Sequence, residues 1–249
     1  MMRPLAALAL AAWATAAGNH APQDVEVFLH GQSGYPCIRT PSVITLGSGA
    51  LLAFAGTRAG PGDGCVPTVP YNKSCDHDDT VVRKSTDAGA SWGPLRAIST
   101  ANSTVRNHGA SLWDAVHRQV VVVLSVDGKH QQSRGDNTLA VIRSSDEGES
   151  WSQPRLIAAL GADSHSFVSP GRGLQLSSRH NHAGRIVFVA QLGGGSPGNV
   201  VFYTDDGGQT WVKSPTIVEK CNEAQIVELK DGDLLMVRSV FHHKLASPH

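Results

Sequence analysis

The stretch KSTDAGASW, residues 84–92, returns almost unchanged as RSSDEGESW (residues 143–151) and YTDDGGQTW (residues 203–211). The aligned acids Asp87, Asp146 and Asp206 lie 59 and 60 residues apart. Gly89, Gly148 and Gly208 follow each acid by two positions, and Trp92, Trp151 and Trp211 by five. Self-similarity at a fixed period marks a repeated supersecondary unit. Within one copy, the Asp can accept hydrogen bonds from the amides of its own turn. The Gly tolerates a positive φ, and the Trp offers a large ring to pack between sheets. A turn that every repeat uses in the same way is scaffold rather than a single active site.

Working outward, the apolar runs between these turns are short and β-rich: SVITLGSGALLAFAGTR, RQVVVVLSVDG, NTLAVIRSS, GRIVFVAQLGG, NVVFYTDDG and AQIVELKDGDLLMVRSV. Asp-Gly and Gly-Gly pairs separate them, which is the hairpin signal. PRLIAAL, residues 154–160, is the only modest helical candidate. Several strands in each unit of about 60 residues predict an all-β chain of propeller type, in which radial repetition hides most sheet edges.

The composition agrees. Of 249 residues, 41% are hydrophobic, enough for a sizeable core, and 26 Gly with 13 Pro supply many turns. The 21 basic side chains balance 21 acidic ones, which gives no support for a nucleic-acid partner. No zinc-ligand run and no Walker-type loop is present, and His165, His180 and His182 are expected as free loop histidines.

Residues 1–17, MMRPLAALALAAWATAA, read as a signal peptide: Arg3, a short apolar run, then small residues before a cleavage point. No later stretch has the roughly 18 apolar residues of a membrane-spanning helix. A secretory route is therefore expected, ending in a secreted, lysosomal or membrane-associated protein. Cys37, Cys65, Cys75 and Cys221 then permit disulfides, with a Cys65–Cys75 bridge favoured among three pairings. Asn72 and Asn102 open glycosylation acceptor motifs.

The pattern S-x-D-x-G-x-x-W resembles the Asp box of sialidases (neuraminidases) and related BNR-repeat propellers. Copies one and two match it in full, and copy three has Thr204 at the Ser position. Asp boxes also occur in non-enzymatic propellers, so the chemistry has to come from other residues.

CIRTPSVITLGSGALLAFAGTR resembles the segment that opens the first blade of a sialidase, although Thr40 stands where the family usually has Ile. That resemblance implies that Arg39 grips the carboxylate of sialic acid. Arginine suits the task because its rigid fork matches a planar carboxylate and stays charged at any working pH. Arg58 ends the next strand, and Asp63 follows in GTRAGPGDGC. The resemblance implies a substrate contact for Arg58 and a general acid/base role for Asp63, with Asp76, Asp78 and Asp79 as rivals. CNEAQIVELKDGDLLMVRSV resembles the segment in which Glu223 polarises a catalytic tyrosine and Arg238 is a second member of the carboxylate clamp. A phenol nucleophile suits an anomeric centre that already carries a carboxylate, because an acidic nucleophile would be repelled there. Arg172 and Gln175, in SPGRGLQLSSRHNHAGRIVFVA, are expected near the pocket.

The resemblance covers residues 25–240 and implies an exo-α-sialidase. Its substrates would be terminal α-linked sialic acids on glycoproteins, glycolipids and oligosaccharides, hydrolysed with retention and with no metal or organic cofactor. A six-bladed ring at about 60 residues per blade needs roughly 360 residues, so about four blades are expected here, followed by a non-matching tail at residues 241–249. No residue matches the family's third clamp arginine or its tyrosine, since Tyr35, Tyr71 and Tyr203 lie in other contexts. A truncated gene model, an inactive lectin-like propeller and a ring completed by a partner chain all remain open, and the incomplete propeller is expected to be prone to self-association.

Overall fold

The long apolar runs become strands in the computed structural model, which describes residues 24–58, 79–98, 105–126, 138–160, 167–192 and 198–240. The first sheet has the order β1 (Cys37–Thr45), β2 (Leu51–Arg58), β3 (Thr80–Ser85) and β4 (Arg96–Ala97), each antiparallel to the next. The second repeats this with β5 (Val105–Asp114), β6 (Gln119–Val126), β7 (Thr138–Ser144) and β8 (Arg155–Leu156). In the third unit the first strand is broken into β9 (Phe167–Val168), β10 (Gly171–Arg172) and β11 (Leu174–Gln175). It continues as β12 (Ile186–Leu192), β13 (Gly198–Thr204) and β14 (Val212–Glu219). β10 crosses to the second sheet and pairs parallel with β5. A hairpin of β15 (Cys221–Glu228) and β16 (Leu234–Val240) follows. The described strands thus form three complete sheets and half of a fourth, a partial propeller with no closed ring.

The run VVVVL shows why the sheets stack. Val120, Val122 and Leu124 of β6 face Leu52, Phe54 and Val82 of the first sheet. The alternate residues Val121 and Val123 face Phe188, Val200 and Phe202 of the third. A continuous apolar run is what a strand covered on both faces requires, and all five residues are fully buried. β15 continues the stack by packing on β11, β12 and β13. The hairpin leaves Val227 of β15 and Leu235 and Val237 of β16 exposed.

PRLIAAL is not a helix. Arg155 and Leu156 pair with Val141 and Ala140 as the outermost strand of the second sheet, and only a single 3-10 turn, Ala158–Leu160, follows. The open edge of β7 takes up these residues, leaving too few for helical nucleation.

The three Asp boxes are nearly superimposable in their bonding. The Ser85, Ser144 and Thr204 hydroxyls each donate to their Asp and accept from the Gly89, Gly148 and Gly208 amides, all at 2.7–2.9 Å. Thr204 therefore replaces serine without loss. Two successive left-handed residues make each turn: Ala88 and Gly89, Glu147 and Gly148, Gly207 and Gly208. Donors from Ser91 and Ser85 lower Asp87 to about 2. Ser150 and Ser144 likewise hold Asp146 far below the usual range. Burial pushes Asp206 up, yet Thr210 and Thr204 bring it to about 2. Trp151 meets Phe54 edge-on at 6.0 Å, and Trp211 lies 5.3 Å from Phe202, so both rings seal gaps between sheets.

The second and third boxes also touch the preceding sheet. Ser48, in the β1–β2 turn, donates to Glu147 through its amide and hydroxyl. Arg96 donates to the Gly148 carbonyl, and Arg143 and Gln119 donate to that of Gly207. These two boxes are inter-sheet ties.

Candidate functional site

Strand direction separates scaffold from chemistry. β1 runs down, β2 returns, and β3 runs parallel to β1, so the box after β3 shares an end with the β1–β2 turn. The start of β1 and the end of β2 lie at the opposite end. The same connectivity in the hairpin brings the start of β15 and the end of β16 together. Arg39, Arg58, Glu223 and Arg238 all belong to this second end.

Irregular pairing is concentrated there. The β1–β2 register breaks between Arg39 and Ser42. Thr40 takes φ +52, a left-handed conformation that is rare for a β-branched residue, and its hydroxyl donates to the Arg39 carbonyl at 2.8 Å. Pro41 has no amide to give to the ladder. β5 breaks register at Arg106, His108 and Ala110. β15 breaks between Cys221 and Ala224, which leaves Asn222 and Glu223 in a bulge just after Lys220 at φ +57. Bulges re-aim side chains and gather beside active sites.

Arg39 stands opposite Gly56, and the Arg58 backbone opposite Cys37, so the two arginines occupy adjacent strands near one end. Glu223 is exposed and has no hydrogen-bond or ion-pair partner among the described residues. Arg238 is paired across the hairpin with Ala224, and its Nη1 donates to the Glu219 carbonyl at 3.1 Å. A guanidinium has five N–H donors, and among the described residues Arg238 makes this one hydrogen bond. Asp63, Asp76 and Asp78 lie outside the described residues.

The rival Asp79 directly precedes β3. It is buried, its carboxylate accepts from the Tyr35 hydroxyl at 2.8 Å, and its backbone exchanges bonds with Thr57. Tyr35 is thereby engaged, and the Tyr203 ring lies 3.9 Å beneath the Arg185 guanidinium. Tyr71 lies outside the described residues.

Gln175 is not a pocket residue. Its amide bonds Ala115, Asp114 and Gly184 at the box end. Burial pushes the fully enclosed Asp114 up, but donors from Gln119, His117 and Gln175 more than offset this and keep its carboxyl below the usual value. Arg172 is exposed, and its backbone amide donates to Gln225 Oε1 at 3.4 Å.

Cys37 forms a disulfide, whereas Cys221 is free and buried. Cys65 and Cys75, and with them the expected Cys65–Cys75 bridge, lie outside the described residues. Among the described residues no group of His, Cys, Asp and Glu is arranged to hold a metal ion, and no helix is long and apolar enough to cross a membrane.

Sequence reasoning missed four residues of this end. Ser42 and Ser111 hydroxyls lie 3.1 Å apart between the first two sheets. Ser169 Oγ accepts from the Ala224 amide at 3.1 Å, and Gln225 Nε2 donates to the Pro170 carbonyl at 2.6 Å. The available signal was a serine set within an otherwise apolar buried strand, as in GASLW.

The chain is similar to several known proteins. The chain is 28% identical over 234 residues to a sialidase of Micromonospora viridifaciens, aligning 86% of the chain with 34% of that protein. It is 39% identical over 108 residues to the anhydrosialidase of Macrobdella decora, covering 39% of the chain and 13% of the relative. The fold matches that of a Hadza microbial sialidase with a TM-score of 0.65 at 22% identity, over 81% of this chain and 42% of that one. The chain therefore spans about a third of the length of the Micromonospora protein it matches over most of its own residues. The family model described as a BNR repeat-like domain matches residues 73–247, well over half of the chain, and the protein belongs to that family.

Proposed function

We propose that this protein acts on terminal α-linked sialic acids of glycoproteins, glycolipids and oligosaccharides, as an exo-α-sialidase. Its sheets are blades of a six-bladed propeller of sialidase type. The observation that carries the reading is the gathering of Arg39, Arg58, Glu223 and Arg238 at the bulged end of the sheets, away from the Asp boxes. The arginines grip the substrate carboxylate through paired N–H···O bonds. Asp63 donates a proton to the glycosidic oxygen as its bond to the anomeric carbon breaks, then takes one from the incoming water. Glu223 accepts the proton of a tyrosine whose oxygen attacks that carbon, and the second displacement restores the configuration. The Cys37 disulfide fits an oxidising, secretory destination.

A second reading, binding without turnover, is favoured by one observation: Tyr35 and Tyr203 are both engaged by groups other than Glu223. Incubating the 249-residue chain with a fluorogenic α-sialoside separates the two. Fluorophore release that Glu223→Gln and Asp63→Asn abolish supports the enzyme. Saturable binding without release supports a lectin-like protein, and the absence of both refutes any sialoside function.

A further inference from the structure

A belt of side chains and backbone links the Glu223 bulge to the Arg39 bulge across three sheets. It begins at Ser42, the first residue of β1 back in register after Arg39, whose hydroxyl meets that of Ser111. Ser111 lies in register with Arg172, and its carbonyl accepts from the Gly173 amide at 3.0 Å. The Arg172 amide donates to Gln225 Oε1, and Gln225 Nε2 reaches back to the Pro170 carbonyl. Ser169, one residue earlier, accepts from the Ala224 amide directly beside Glu223. Ser42, Ser111 and Ser169 are 7%, 0% and 3% exposed.

The bulge needs such support. Register with β16 is lost between Cys221 and Ala224, so ladder bonds do not fix Asn222 and Glu223. Glu223 has no partner of its own among the described residues, so its carboxylate stands wherever the backbone carries it. Gly171, at φ +129, is shaped to the clamp: a Cβ there would fall 2.8 Å from Gln225 Nε2. A simple latch between sheets would not need buried hydroxyls, which cost stability unless paired, because apolar clusters and box ties already join the sheets.

We propose that Ser169 and Gln225 are positioning residues that set the Glu223 carboxylate against Arg39 for a shared sialoside ligand. This rests on the reading of Glu223 and Arg39 as substrate-site groups. Gln225→Leu removes both amide bonds, and Gly171→Ala displaces the same amide while keeping it. Glu228→Gln is the control, because it weakens the far end of β15 by loosening the bonds from Ser177.

The 249-residue chain and each variant are compared by amide exchange at residues 222–224 and by titration with 2,3-didehydro-2-deoxy-N-acetylneuraminic acid. Both clamp variants are expected to speed exchange and to weaken the probe by roughly tenfold, the scale of one or two lost hydrogen bonds. Glu228→Gln should leave probe affinity unchanged. Unaltered exchange in both clamp variants, or an equal loss of affinity in Glu228→Gln, overturns the positioning role. If the clamp variants speed exchange but the unaltered chain does not bind the probe, the site reading itself fails and the belt is only a latch.

Discussion

Three glycines occupy one position of one motif, yet the structure gives them unequal costs of substitution. Gly89, Gly148 and Gly208 sit at φ +93, +88 and +88, so alanine pays a similar left-handed penalty of about 1–2 kcal/mol at each. Their surroundings differ. A Cβ on Gly148 would lie 2.8 Å from Leu52 Cδ1 and 3.2 Å from Cδ2, and Leu52 is fully buried in the cluster between the first two sheets. On Gly89 the nearest atom would be Leu51 Cδ1 at 3.5 Å, and on Gly208 Trp211 Cζ2 at 3.5 Å, both ordinary contacts. Overpacking a closed core adds about 1–3 kcal/mol. Gly148→Ala should therefore destabilise by about 2–5 kcal/mol, and Gly89→Ala and Gly208→Ala by about 1–2. Urea unfolding followed by tryptophan fluorescence measures all three. Equal losses, or a larger loss at Gly89, would refute the claim that the second box is wedged against the first sheet.

Acid should erase the contribution of the box carboxylates. Asp206 falls from 3.8 to about 2 on folding, so its stabilisation is full above pH 4 and disappears as the pH drops towards 2. The difference in thermal midpoint between the protein and Asp206→Asn should shrink over that window, whereas a difference constant from pH 7 to pH 2 would contradict the sign. Thr204→Ser should be nearly neutral, and Thr204→Val should cost about 1–3 kcal/mol by leaving the buried Gly208 amide without its acceptor, as read by urea midpoints. Phe202→Ala, at a fully buried ring packed on Phe188 and Trp211, should cost about 3–5 kcal/mol in the same assay.

The scaffold was readable where one segment carries its own signal. VVVVL announces a strand covered on both faces, and the Asp-box spacing announces the repeat. The outer strands had no such signal. β14 is mostly exposed and polar, and the two-residue β4 and β8 exist only because the edges of β3 and β7 take them up. PRLIAAL misled for that reason. The candidate site was visible only through family likeness to Arg39, Arg58, Glu223 and Arg238. The bulges that aim those residues depend on a partner strand, and the Ser42–Ser111 contact joins residues 69 positions apart. Gln175 looks like a pocket group in sequence, yet Asp114, a partner remote in the chain, holds it at the box end.

The most direct test of the account is the binding isotherm of sialyllactose to the 249-residue chain, to Arg39→Ala and to Asp87→Ala. Sialic acid recognition at the bulged end predicts saturable binding, lost by at least about tenfold when the charge-assisted bonds of Arg39 are removed. The Asp87 variant should lose stability while binding normally wherever it remains folded. Unchanged affinity in Arg39→Ala, or affinity lost in a folded Asp87→Ala, would contradict the division of the molecule into a chemical end and a scaffold end.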